Sequence, residues 1–144
     1  MTPDLYTMAG PALLLGLAFL GSSIGCAIGF SAAQGAMART DEGHGLFIGM
    51  AAAPSSQTVF GFIMMNMMRE ALLAGTVTPL SGIFIGFSAG VAICSSSIFQ
   101  GKVVAAAIQS VAKQPSLFGK SMVGIGIIES FSILSVVFFL QLLK

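Results

Sequence analysis

The chain has 144 residues, of which 56% are hydrophobic and only 8% charged, with a formal net charge of +1. A soluble domain of this size needs far more charge to cover its surface. The near-neutral balance offers no basic field for nucleic acid and no acidic tail, so lipid is the solvent this composition fits.

The first residues, Met1-Thr2-Pro3-Asp4, carry no Lys or Arg. A secretory signal opens with positive charge, so the first apolar run is expected to stay in the mature protein. Four apolar segments follow, at about 9–38, 46–73, 80–112 and 117–143, each longer than the ~20 residues that cross the hydrocarbon. In lipid each segment must satisfy its own backbone, which makes these segments helices. A closed barrel would instead show alternating stretches of ~10 residues. The breaks carry turn chemistry: Arg39-Thr40-Asp41-Glu42-Gly43-His44-Gly45, Gly75-Thr76-Val77-Thr78-Pro79 and Lys113-Gln114-Pro115-Ser116. Thr78 is placed to cap the third helix with Pro79 at its first position, and Ser116 to cap the fourth. His44 falls in a polar turn and is expected to be exposed. The predicted fold is an all-α membrane protein of four transmembrane helices in two tandem hairpins, residues 1–74 and 75–144.

Arg39, Lys113 and Lys120 flank the first and third loops, while Arg69 and Lys144 lie on the other side. That slight bias puts the first and third loops in the cytoplasm. Lys102, inside the third helix, must snorkel or face a polar gap. The hairpins read as a duplication. A shift of 74 residues aligns Gly16 with Gly90, Ser22 with Ser96 and Arg39 with Lys113; a shift of 72 aligns Gln57 with Glu129. Cys26 and Cys94 are far apart in apolar stretches and read as small packing residues.

Gly21, Gly25 and Gly29 repeat at four-residue steps in the first helix, as do Gly82, Gly86 and Gly90 in the third. Such stripes let helix backbones approach closely in a membrane. They pack the two hairpins together or, in a ring of copies, form its crowded inner wall.

Glu129 is the one carboxylate deep inside an apolar segment, Ile125-Gly126-Ile127-Ile128-Glu129-Ser130-Phe131. An unpaired charge there costs several kcal/mol, and ionisable groups at such depth are functional by default. Neutralised by H⁺ or a metal cation, the group can cross an apolar surface. Empty, it is charged and needs a positive or wet partner. Counted from the loop ends, Glu129, Gln100 and Gln57 all lie about 16–18 Å deep. Ser56 adds a hydroxyl, and Pro54, which has no N–H, frees a carbonyl near that level. A hard cation takes several oxygen ligands, and this layer offers them; glutamines also form plain interhelical hydrogen bonds.

Pro54-Ser55-Ser56-Gln57, Gln100-Gly101-Lys102-Val103 with Ala105-Ala106-Ala107-Ile108-Gln109, and Glu129-Ser130-Phe131-Ser132-Ile133-Leu134 together resemble the duplicated proteolipid (c or K) subunit of V-type ATPases, above all the bacterial sodium-pumping kind. The resemblance implies a homo-oligomeric ring in the cell (inner) membrane. The ring would turn against a stator subunit of the a/I type and meet a central stalk subunit on the cytoplasmic side, with ATP hydrolysed elsewhere in the complex. It implies that Glu129 carries Na⁺ or H⁺. In sodium-pumping members the ion's shell is completed by the residues matching Ser56, Gln57, the Ala53 carbonyl and Gln100. This chain departs at Ser56, where Thr is usual, and at Phe60, where those members carry a Tyr that hydrogen-bonds the glutamate. Locking of Glu129 must then be weaker or use another donor, such as Ser130.

No nucleophile–base pair and no phosphate loop is visible, so the chain is expected to bind no nucleotide and to be no enzyme by itself. Two other functions remain open at this stage: a rotor working mainly in ATP synthesis, and a self-contained small cation pore or carrier.

Overall fold

The computed structural model describes residues 5–143. The helices are α1 (Leu5–Met37), α2 (His44–Ala51), α3 (Ser56–Ala74), α4 (Pro79–Lys113) and α5 (Phe118–Leu140), with short 3-10 turns at Ala53–Ser55, Pro115–Leu117 and Gln141–Leu143. They make four spans of 33, 31, 35 and 29 residues: α1, α2 with α3, α4, and α5 with its flanking turns. Each is long and apolar enough to cross a membrane. The protein is a multi-pass integral membrane protein with an all-α, four-helix bundle, as expected. The expectations placed on Met1–Asp4 and Lys144 lie outside the described residues.

Two local expectations need correction. The segment 46–73 is not one unbroken helix: α2 ends at Ala51 and α3 starts at Ser56. Pro54 lacks the amide proton that the Met50 carbonyl would take, and its ring crowds that carbonyl, so the chain tightens into a 3-10 turn there. Ser116 caps nothing, because it sits inside the turn Pro115–Leu117, and α5 begins without a side-chain cap. Thr78 does cap α4: its Oγ1 accepts from the Ser81 amide at 3.2 Å, with Pro79 opening the helix. Thr78→Ala is expected to cost about 1 kcal/mol, read as a lower unfolding midpoint in detergent, with Thr78→Ser close to wild type.

The bundle is organised around a tight pair, α1 and α4, which run parallel. A side chain at Gly10 would collide with Gly82, one at Gly25 with the Ser97 carbonyl, and one at Gly86 with Gly10. A Cβ at Gly21 would lie 2.5 Å from the Cys94 Cα, and one at Gly29 3.2 Å from Val104. The predicted glycine stripes therefore do bring backbones together, but Gly10 and Gly101 take part as well, Gly101 facing Gly25. Helix α3 lies against α1, α4 and α5, and α5 lies against α4 and α3. Cys26 and Cys94 are free thiols. His44 is exposed, its Nε2 2.7 Å from the Thr40 carbonyl, to which it donates. Lys102 is exposed, its ammonium 5.1 Å above the Phe99 ring.

Two apolar clusters fill the interior. One, toward the first and third loops, holds Ala33, Phe47, Met50, Val104, Ile108 and Ile125. The other, toward the opposite end, holds Leu14, Met64, Met68, Leu72, Ala89 and Leu143. Among the described residues, the buried polar side chains fall between these clusters: Ser22, Gln57, Ser96, Ser97, Gln100 and Ser132. The bundle thus carries a polar layer between two apolar halves.

Candidate ion-binding site

The polar layer contains every site residue expected from sequence. Glu129 is half-buried on α5. The Ser56 hydroxyl, at the start of α3, lies 2.6 Å from Glu129 Oε1 and 2.9 Å from the Ala53 carbonyl. It has one proton for two acceptors. Facing a carboxylate, Ser56 donates to Glu129. Facing a neutral carboxyl, it accepts from Glu129 and donates to Ala53. The Pro54 turn makes this possible, because it folds the Ala53 carbonyl back under Ser56.

Gln57 and Gln100 are both completely buried, and Gln57 Nε2 donates to Gln100 Oε1 at 3.0 Å. Gln100 Nε2 in turn faces the Ile125 carbonyl at 3.4 Å. That carbonyl only accepts, so Gln100 must turn its nitrogen toward α5 and its oxygen toward Gln57. The order fixes Gln57 as well and leaves Gln57 Oε1 buried with no hydrogen-bond partner. A lone buried acceptor is costly unless something with positive character meets it, and a cation does so. The donor set within this layer is a carboxylate, a hydroxyl, a backbone carbonyl and amide oxygens. All are oxygens, which suits a hard monovalent cation as cargo and suits H⁺ at Glu129. Gln100 Oε1 joins such a shell only after releasing Gln57 Nε2.

One expectation about Glu129's neighbours comes out differently. Ser130 does not hold Glu129; its hydroxyl turns back to the Ile127 carbonyl at 2.7 Å. Ser56 takes that place, and Phe60 is a half-buried ring without a polar atom to offer. Two residues went unassigned by sequence. Ser97 Oγ, completely buried, donates to the Pro54 carbonyl at 3.1 Å, and Ser96 Oγ donates to the Ile128 carbonyl at 3.0 Å. Their signals in the sequence are the run Ser95-Ser96-Ser97, one turn before Gln100, and the alignment of Ser96 with Ser22.

A protein-family model describing the C subunit of ATP synthase matches the chain twice, over residues 9–68 and 83–142. The chain belongs to this ATP synthase C-type family. The second match starts at residue 83 against residue 9 for the first, the 74-residue shift along which the glycines and serines align. Among curated relatives, the A-type ATP synthase subunit K of Methanocaldococcus jannaschii is 33% identical over 121 residues, covering 84% of this chain and 54% of that protein. The chain spans about half the length of that archaeal relative. The family comprises membrane-embedded subunits of rotary ATPases.

Proposed function

We propose that the chain is the ion-carrying rotor subunit of a V-type ATPase, of the kind that pumps Na⁺ across a bacterial cell membrane. The observation that carries this reading is the membrane-embedded carboxyl of Glu129, held 2.6 Å from Ser56 in the same layer as the unpartnered oxygen of Gln57. Copies of the chain form a ring. The ring turns against a stator subunit of the a/I type while ATP is hydrolysed in the peripheral sector. Glu129, Ser56, the Ala53 carbonyl, Gln57 and Gln100 surround the Na⁺; H⁺ is the cargo if the glutamines only brace the helices. The central stalk meets the cytoplasmic side, where Asp41, Glu42 and His44 of the first loop are exposed.

Residues 1–74 and 75–144 are the two copies of a duplicated hairpin. The first has Gln57 where the second has Glu129, so one carboxylate serves four spans. Fewer ions then move per turn for a given number of helices, and more free energy is available per ion, which suits uphill pumping. A rotor working mainly in ATP synthesis is the second reading, favoured by the names of the family and of the archaeal relative.

Carbodiimide labelling of Glu129 in purified membranes, at fixed pH and increasing Na⁺, tests the cargo. Carbodiimides attack a protonated carboxyl in an apolar site, so Na⁺ held by Glu129 is expected to suppress labelling. Labelling indifferent to Na⁺ overturns the sodium reading and leaves H⁺ as the cargo.

A further inference from the structure

A serine in a helix ordinarily turns its hydroxyl to a carbonyl of its own preceding turn. Many of the described serines here do so: Ser31 bonds Ala27, Ser95 bonds Val91, Ser110 bonds Ala106 and Ser135 bonds Phe131. Among the described residues, the serines that instead reach another span are Ser56, Ser96 and Ser97, and all three lie in the layer of Glu129. Ser96 and Ser97 are adjacent on α4, so their side chains leave the helix about 100° apart. One reaches the α5 backbone at Ile128, directly before Glu129. The other reaches the second span at Pro54, between Ala53 and Ser56.

We infer that Ser96 and Ser97 form a clamp that sets the separation between the two halves of the ion site, and so tunes its affinity for the ion. They are positioning residues and donate nothing to the ion themselves. This rests on the reading of Glu129 as the ion carrier and names what holds its geometry. Pro54 interrupts the α-helical ladder, so the Ala53–Ser56 turn keeps 3-10 bonds such as that from the Ser55 amide to the Ala52 carbonyl at 3.0 Å, and Ser97 anchors it to α4. Ser96 fixes the height of Ile128 and with it the point at which Glu129 leaves α5. Without either bond, the 2.6 Å contact between Ser56 and Glu129 is no longer dictated by α4, the helix that also presents Gln100.

The test uses the whole complex in membranes, with Ser96→Ala, Ser97→Ala and Ser97→Cys, which keeps the side-chain size with a weaker donor. Ser95→Ala, next to the clamp but bonded within its own helix, is the control. Two quantities are read: the rate of carbodiimide labelling of Glu129 without Na⁺, and the Na⁺ concentration that halves it. The clamp variants are expected to change the labelling rate about fivefold or more, and to raise the half-protective Na⁺ about tenfold. Ser95→Ala is expected to stay within about twofold of wild type in both, and ring yield to be similar in all four. If the clamp variants behave like Ser95→Ala in both readings while the ring assembles, the clamp does not exist. If Na⁺ fails to protect the wild type, the sodium reading falls, and the clamp is still decided by the labelling rates alone.

Discussion

Replacement of Glu129 by Gln is expected to abolish coupled ion transport while the protein still folds and assembles. The substitution keeps size and shape, and the new amide oxygen can still accept from Ser56, which now stands 2.6 Å from Oε1. What is lost is the change of charge. A carrier in lipid must be neutral where it faces hydrocarbon and charged where it gives up its ion, and an amide stays neutral throughout. Removing the charge also removes a burden on insertion, about 3 kcal/mol on translocon scales for a charged side chain at mid-membrane, so the variant should insert at least as well as wild type. In the reconstituted complex, ATP-driven Na⁺ or H⁺ uptake is expected to fall to background, with detergent-stable ring recovered in normal amount. Normal pumping by Glu129→Gln would refute the assignment of Glu129 as the carrier.

Much of this architecture is legible in the sequence because the bilayer imposes it. A span must be long, apolar and internally hydrogen-bonded, so the four segments announce themselves. Glu129, Gln57 and Gln100 stand out for the converse reason, as polar groups in stretches that otherwise have few. What sequence does not fix is azimuth and local breaks. Pro11 lies inside α1 without ending it, whereas Pro54 closes α2 and opens a 3-10 turn. The same residue type gives two outcomes. Ser96 and Ser97 are ordinary membrane-helix serines until their directions around α4 are known, and their neighbour Ser95 bonds only within its own helix. Ser130 offers the opposite lesson: its place beside Glu129 in sequence suggests a partner, but its hydroxyl prefers the carbonyl one turn back. The glycine stripes predicted the close approach of α1 and α4. They did not reveal Gly10 or Gly101, because those residues stand outside the two runs of four-residue steps.

That close approach leads to the second large effect. Gly25→Val is expected to prevent folding of the bundle. A Cβ at residue 25 would collide with the Ser97 carbonyl and stand 2.8 Å from the Pro54 Cβ, and Gly101 presses on Gly25 from α4 in return. These are largely backbone obstacles, so no side chain can swing away to make room. Relief requires α1 to move off α4 and off the Pro54 turn together. Overpacking of a well-filled core costs about 1–3 kcal/mol; here the cost should reach or exceed the top of that range, because two helices and a turn must shift. The displacement also falls at the ion site, since Ser97 and Pro54 are the partners that anchor the Ala53–Ser56 turn to α4. Loss of folded protein should therefore appear as low recovery of detergent-stable subunit, and any surviving fraction should show weakened Na⁺ protection of Glu129. Gly45→Ala is the matched control, because a Cβ there meets open space and Ala favours a helix by up to about 1 kcal/mol over Gly. If Gly25→Val is recovered as well as Gly45→Ala, α1 and α4 are not in backbone contact at the ion layer, and the packing described for the inner pair is wrong.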